Sequence, residues 1–257
     1  MRNLVIGVIG GVLAASIVAG VVLYSQLNSQ LNGAQVDIQR LKTLGGLSTP
    51  TPTTPAGGTN MTMVDLISTV QPVVVRVDVK GDSFQASGSG VIIRSDGYVM
   101  TNQHVIEGAT SITVTLSNDQ QYPATVTGSD AGIDLAIVKL TGSPSNLPAA
   151  VLGSASDIVI GGVVVAAGFP LGPELPGPAS FTQGIVSAIR TVNGQRYIQS
   201  DVVINPGNSG GALVARSNGK VIGITSAAVI QTGGDVEGIN LAIPIDVMQD
   251  FIQANLR

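Results

Sequence analysis

Residues 73–94 read VVVRVDVKGDSFQASGSGVIIR. Two short runs rich in Val and Ile, VVVRVDV (73–79) and SGVIIR (89–94), are separated by a polar stretch. Branched aliphatic residues in runs of this length, bounded by Gly, Asp and Ser, predict β-strands. The same texture continues downstream in ITVTL, LAIVKL, IVIGGVVVAAG, TQGIVSAI, ALVA, VIGITSAAV and INLAIPI. Turn signals such as SDGY, SNDQ, RSNGK and QTGGD separate them. Many short strands with few helices predict an all-β sandwich or barrel pair and argue against alternating βαβ units. Two helices are expected at the edges of this region. One runs from Met63 to Val70 and is closed by Gln71-Pro72; the other is amphipathic and spans Ile245 to Leu256.

Upstream the chain is of another kind. Leu4 to Tyr24 is free of charge and long enough to cross a bilayer, with Arg2 ahead of it. A transmembrane anchor over 1–24 is expected, with a cytoplasmic N-terminus and the remainder outside the cytoplasm. The alternative is a cleaved signal peptide and a secreted product, because small residues such as Ala15, Ser16, Ala19 and Gly20 interrupt the run. A juxtamembrane helical stalk is expected over residues 25–44. Leu27, Leu31, Ala34, Ile38 and Leu41 keep coiled-coil spacing for about two heptads, with Gly33 interrupting it. Residues 45–60, rich in Pro, Thr and Gly, are expected to form a linker. The globular domain is expected over 61–257.

Composition narrows the chemistry. The chain of 257 residues has 12 Lys and Arg against 16 Asp and Glu, a formal charge of −4, and no concentrated basic face for nucleic acid. With no cysteine and one histidine, disulfides, thiolate zinc sites, a cysteine nucleophile and multi-histidine metal sites are excluded. A calcium site made of carboxylates remains open; no metal or cofactor is expected.

The densest local signal is NPGNSGGAL (205–213). Glycines around Ser209 permit a turn that side chains would block. A nucleophilic serine needs such a turn, so that backbone N–H groups converge on the oxygen that becomes negative. Taken alone, the segment is equally an ordinary Gly/Ser turn. His104 follows GYVMT and precedes a helix-like turn. Lone histidines are ordinarily surface or core residues, yet this one is the sole candidate for a near-neutral base. Asp134 opens DLAIVKL, where a carboxylate can be half-buried and accept from an imidazole. Asp130 competes for that role, and the position directly before the strand favours Asp134.

Together, GSGVIIRSDGYVMTNQHVI, DLAIVKL, FTQGIVSAI, QSDVVINPGNSGGALV and GINLAIPID resemble the protease domain of the HtrA (Deg) serine proteases. The His, Asp, Ser order is that of chymotrypsin-like enzymes. The resemblance implies a trypsin-like pair of six-stranded β-barrels with the site between them. His104 and Asp134 would come from the first barrel and Ser209 from the second. It implies oxyanion donors at Gly207 and Ser209, assisted by Asn208, and Ser226 supporting the carboxylate. Backbone at Ser226, Ala227 and Ala228 would pair with an extended substrate. Val203 and Ile204 fall at the floor of the specificity pocket, and neither is acidic, which implies cleavage after small or medium aliphatic residues. The resemblance further implies extended or unfolded polypeptide substrates, a role in stress-related quality control, and a homo-oligomer, a trimer by family precedent.

Two departures and one matching loop bear on this reading. Gln103 replaces the small residue usual before the histidine. The loop GFPLGPELPGPAS (168–180) matches a region that switches between ordered and inactive forms in relatives. Family members typically carry PDZ domains after the protease, whereas this sequence stops at Arg257. A catalytically latent binding or chaperone module on the same fold is the alternative reading.

Overall fold

A computed structural model of the chain describes residues 61–142, 146–226 and 239–256, together with Gln26. Apart from Gln26, an exposed helical residue, the expected anchor, stalk and linker lie outside the described residues. Among the described residues no helix is long and apolar enough to cross a membrane. Gln26 aside, all of them belong to one compact unit, Gly58–Arg257.

The chain enters through helix α1 (Met63–Val70). Thr62 caps it reciprocally with Asp65: the Asp65 N–H donates to Thr62 Oγ1, and the Thr62 N–H donates back to Asp65 Oδ2. A single 3-10 turn (Gln71–Val73) then delivers the chain into β1 (Val74–Lys80). Strands β2 (Gln85–Arg94) and β3 (Tyr98–Thr101) precede a short helix α2 (Gln103–Ile106). Strands β4 (Ser111–Thr115), β5 (Gln121–Asp130) and β6 (Leu135–Leu140) complete a closed barrel in the order β1-β2-β3-β6-β5-β4. The second barrel has the same connectivity. It comprises β7 (Val163–Gly168), β8 (Ser180–Val192), β9 (Gln195–Ser200), β10 (Ala212–Ala215), β11 (Val221–Ser226) and β12 (Asn240–Pro244). It closes as β10-β11-β12-β9-β8-β7, and helix α3 (Ile245–Asn255) follows.

Strand pleat explains why several runs are apolar throughout rather than alternating. Successive side chains point to opposite faces, and at the contact between the barrels both faces are buried. In β6, Ala136, Val138 and Leu140 fill the first barrel, while Leu135 and Ile137 belong to the core shared by the two. In β7, Val164 and Ala166 face inward and Val165 and Ala167 face the other barrel. β10 repeats this with Leu213 and Ala215 inward, Ala212 and Val214 outward. Leu66 and Val70 of α1, with Ile245, Met248 and Phe251 of α3, close this shared core.

The predicted all-β pair of six-stranded barrels with a closing helix is present, and two strands escaped the sequence pattern. β5 (QYPATVTGSD) is exposed or half-buried along its length and carries Pro123, so it has no apolar period. β9 (QRYIQS) is mostly polar, with Tyr197 and Ile198 as its only large buried side chains. The first half of IVIGGVVVAAG is not strand. Val159 and Ile160 are exposed, and a tight turn follows in which Gly161 donates to Val186 O and Gly162 O accepts from Val186.

Candidate active site

The loop joining β3 to β4 begins with α2, which carries His104. Across from it, Asp134 sits immediately before β6 in a left-handed conformation, φ 56°. Non-glycine residues rarely adopt that backbone, and where it occurs it marks a constrained position. The carboxylate is held on several sides. Oδ1 accepts from the His104 backbone N–H at 3.1 Å and from ring Nδ1 at 2.9 Å. Oδ2 lies 3.0 Å from the same nitrogen and accepts from Ser226 Oγ at 2.9 Å. The Asp134 carbonyl accepts from Asn102 Nδ2 at 2.9 Å, which anchors the backbone of the same residue. Because a carboxylate facing an imidazole acts as acceptor, Nδ1 carries the proton and Nε2 is left as the basic nitrogen.

Asp130, the competing acid, is engaged elsewhere. Its Oδ1 accepts from the Gly132 N–H at 2.7 Å and caps the turn between β5 and β6. Burial, together with the nearby negative charge of Asp134, raises the Tyr197 hydroxyl above its ordinary pKa.

Ser209 lies on the turn before β10 and is buried. Gly207 has φ 97°, and a Cβ there would lie 2.4 Å from the Phe169 carbonyl oxygen, so no other residue fits. Gly210 has φ 86°, and its Cβ would lie 2.1 Å from the Ser89 carbonyl oxygen. The turn is joined to β11 by the Gly210 N–H, which donates to Thr225 O at 2.9 Å. The next residue, Ser226, is the one that donates to Asp134. A short path of hydrogen bonds thus leads from the serine turn to the His–Asp pair.

The Asn208 N–H donates to Asn205 O at 2.9 Å, inside the turn, and so cannot be aimed at a substrate oxygen. Among the described residues no acceptor meets the Gly207 N–H. Val203 is half exposed, and its carbonyl accepts from Thr182 Oγ1 at 3.0 Å; Ile204 packs against the interior of the second barrel. Ala227 and Ala228 lie outside the described residues. A depression of about 580 Å³ opens beside Gly207, walled by Asp78, Lys80 and Ser87 on one side and Leu171 and Glu174 on the other.

Sequence reasoning passed over Ser89, Asn102, Thr101 and Thr225, whose polar side chains are buried at this centre. The one available signal was a serine between two glycines at the start of an apolar strand, GSGVII.

Residues 88–224 match the family model for the trypsin-like peptidase domain, and the chain belongs to that family. Two relatives sharpen the placement. A probable periplasmic serine endoprotease of DegP-like type from Halomonas elongata is 46% identical over 167 residues, which is 63% of this chain and 34% of the relative. The serine endoprotease DegS of Haemophilus influenzae is 41% identical over 179 residues, 66% of this chain and 50% of the relative. Among solved structures, the HtrA-type protease AlgW with tripeptide superposes with a TM-score of 0.67 at 37% identity, covering 74% of this chain and 62% of that one. A serine endoprotease from Yersinia pestis gives 0.65 at 35% identity, over 75% and 65%. Within the trypsin-like peptidases these likenesses identify an HtrA (Deg) family member, of which this chain spans about a third to a half of the curated relatives' length.

Proposed function

We propose that the chain is a serine endopeptidase of HtrA type, acting outside the cytoplasm on extended or unfolded polypeptides. The observation that carries this reading is the Asp134 carboxylate, which receives both the His104 ring and Ser226. With Nδ1 so engaged, His104 Nε2 takes the proton of Ser209 Oγ as that oxygen bonds to the substrate carbonyl carbon. Asp134 stabilises the imidazolium that results. The carbonyl oxygen becomes negative and is met by the N–H groups of Gly207 and Ser209. The C–N bond then breaks, the leaving amine takes the proton from His104, and an acyl-enzyme remains. Water, deprotonated by the same imidazole, releases the acid and restores Ser209.

Val203 and Ile204 supply no acid to the specificity pocket, which favours cleavage after Val, Ala or Leu over Arg or Lys. The depression beside Gly207 gives room for substrate beyond the scissile bond, in keeping with an extended chain. Pairing with backbone at 226–228, assembly as a homotrimer, and attachment to the membrane through 1–24 complete the proposal. Digestion of casein and a peptide library by the wild type and by Ser209→Ala tests it. Turnover confined to the wild type is expected, with the variant still folded; retained proteolysis in Ser209→Ala would sink the assignment.

A further inference from the structure

The serine turn works only if its peptide planes face the right way, and each plane is rigid. Fixing a carbonyl oxygen on one side therefore fixes the N–H of the next residue on the other. The planes around Ser209 are held from outside the turn. Pro206 O accepts from the Leu171 N–H at 2.8 Å, which sends the Gly207 N–H the opposite way. Asn208 O accepts from Thr225 Oγ1 at 2.7 Å and from the Gly211 N–H at 2.9 Å, which does the same for the Ser209 N–H. The remaining two carbonyls, of Gly207 and Ser209, are both held by one residue of the other barrel.

That residue is Ser89 on β2, fully buried. Its hydroxyl donates to Gly207 O at 2.7 Å, and its backbone N–H donates to Ser209 O at 2.8 Å. The hydroxyl also accepts from the Phe169 N–H at 2.8 Å. A serine hydroxyl has a single proton, so accepting from Phe169 leaves that proton directed at Gly207 O. Thr101 Oγ1 donates to the Ser89 carbonyl at 2.7 Å and fixes the residue from behind. Gly207, at φ 97°, is the residue of the turn with the greatest freedom to rotate its flanking peptides. We infer that Ser89 is a positioning residue for the peptidase reaction: its hydroxyl pins the Gly207 carbonyl from across the barrel contact and so holds the Gly207–Asn208 peptide plane, which lies between the planes carrying the Gly207 and Ser209 N–H groups and keeps the turn from rotating them off the oxyanion. It touches neither substrate nor the reacting atoms. Formation of the oxyanion turn is thereby tied to docking of the two barrels.

The inference rests on the serine-peptidase reading above, and the test separates the two. Full-length wild type and Ser89→Ala are labelled with a fluorophosphonate probe. Labelling joins Ser209 Oγ to phosphorus, expels fluoride and leaves the serine proton on His104. A wild type that does not label overturns the peptidase reading itself. With labelling wild type, Ser89→Ala is expected to label about tenfold more slowly or worse, and to lose kcat on peptides with KM nearly unchanged. A structural role alone is separated by Val114→Ala, a cavity in the first barrel away from the turn. That variant is expected to lower the melting temperature at least as much while labelling at the wild-type rate. Should Ser89→Ala fail to fold, Ser89→Cys, with its weaker donor, takes its place and is expected to label more slowly than wild type. The inference is overturned by wild-type labelling rates in the folded Ser89 variant, or by Val114→Ala slowing labelling equally.

Discussion

Asp134 Oδ1 accepts two hydrogen bonds from His104, one from its backbone N–H and one from its ring. The first fixes where α2 begins, and the second fixes how the imidazole is turned. Position and orientation of the base are thus set by one oxygen, while the other oxygen is held by Ser226 on the second barrel. The pair is preorganised before any substrate arrives, which is what electrostatic catalysis requires.

Asp134→Asn keeps the shape and removes the charge. An amide can offer a donor to Nδ1 and favour the wrong tautomer, and in the trypsin-type triad such a change lowers kcat by about 10⁴. We expect a loss of roughly 10³ to 10⁴ here on the same grounds. Ser226→Ala, which leaves the carboxylate charged and His104 bonded, should lose far less. Peptide turnover by the two variants under one condition checks the order.

Gly207→Ala should nearly abolish fluorophosphonate labelling. The added methyl meets the Phe169 carbonyl oxygen, and the turn must shift to relieve it. The barrel cores lie elsewhere, so circular dichroism at room temperature should stay native-like. A variant that labels normally would show that the turn tolerates the shift.

Val203→Asp places a carboxylate at the half-exposed position in the stretch leading to the serine. Cleavage after Lys and Arg in a peptide library is expected to appear, and cleavage after aliphatic residues to decline. An unchanged profile would remove Val203 from the pocket.

Acid should destabilise the fold through its capping carboxylates. Asp65 is held below the usual carboxylate range by the Thr62 side chain and then the Thr62 backbone, and Asp157 by the Ser154 backbone N–H, against partial desolvation. With folded values depressed, the unfolded chain binds more protons. That stability is complete above about pH 4 and is lost as pH falls through the lowered values. Melting temperature between about pH 5 and pH 2 should fall, and Thr62→Ala should flatten the Asp65 share of that slope. An unaltered slope in Thr62→Ala would count against the cap.

Legibility in the sequence followed burial. α1 was readable because Leu66 and Val70 keep helical spacing and Pro72 ends it; α3 was readable because Ile245, Met248 and Phe251 keep that spacing. Strands at the barrel contact announced themselves as unbroken apolar runs. β5 and β9 did not, because a strand held mainly by backbone pairing to its neighbours needs little apolar side chain. IVIGG misled in the other direction, as exposed Val159 and Ile160 look like core to any pattern. At the site, glycine spacing pointed to Ser209. Which acceptor the Asn208 N–H meets, Asn205 O within its own turn, was not legible, because the partner of an amide is invisible in sequence.

By itself the sequence determined an all-β chain with one base, one glycine-lined serine and an acid poised at a strand start, since these depend on local preference and residue type. Position before a strand favoured Asp134 over Asp130, and only tertiary structure shows what each of these chemically identical carboxylates, four residues apart, meets. One meets His104 and Ser226 from other parts of the chain, and the other closes its own turn. Tertiary structure alone also brought Ser89 to Gly207, across more than a hundred residues. A hydrogen bond has directional reach of only about 3 Å, so which groups share one is settled by packing of the two barrels and by no local pattern.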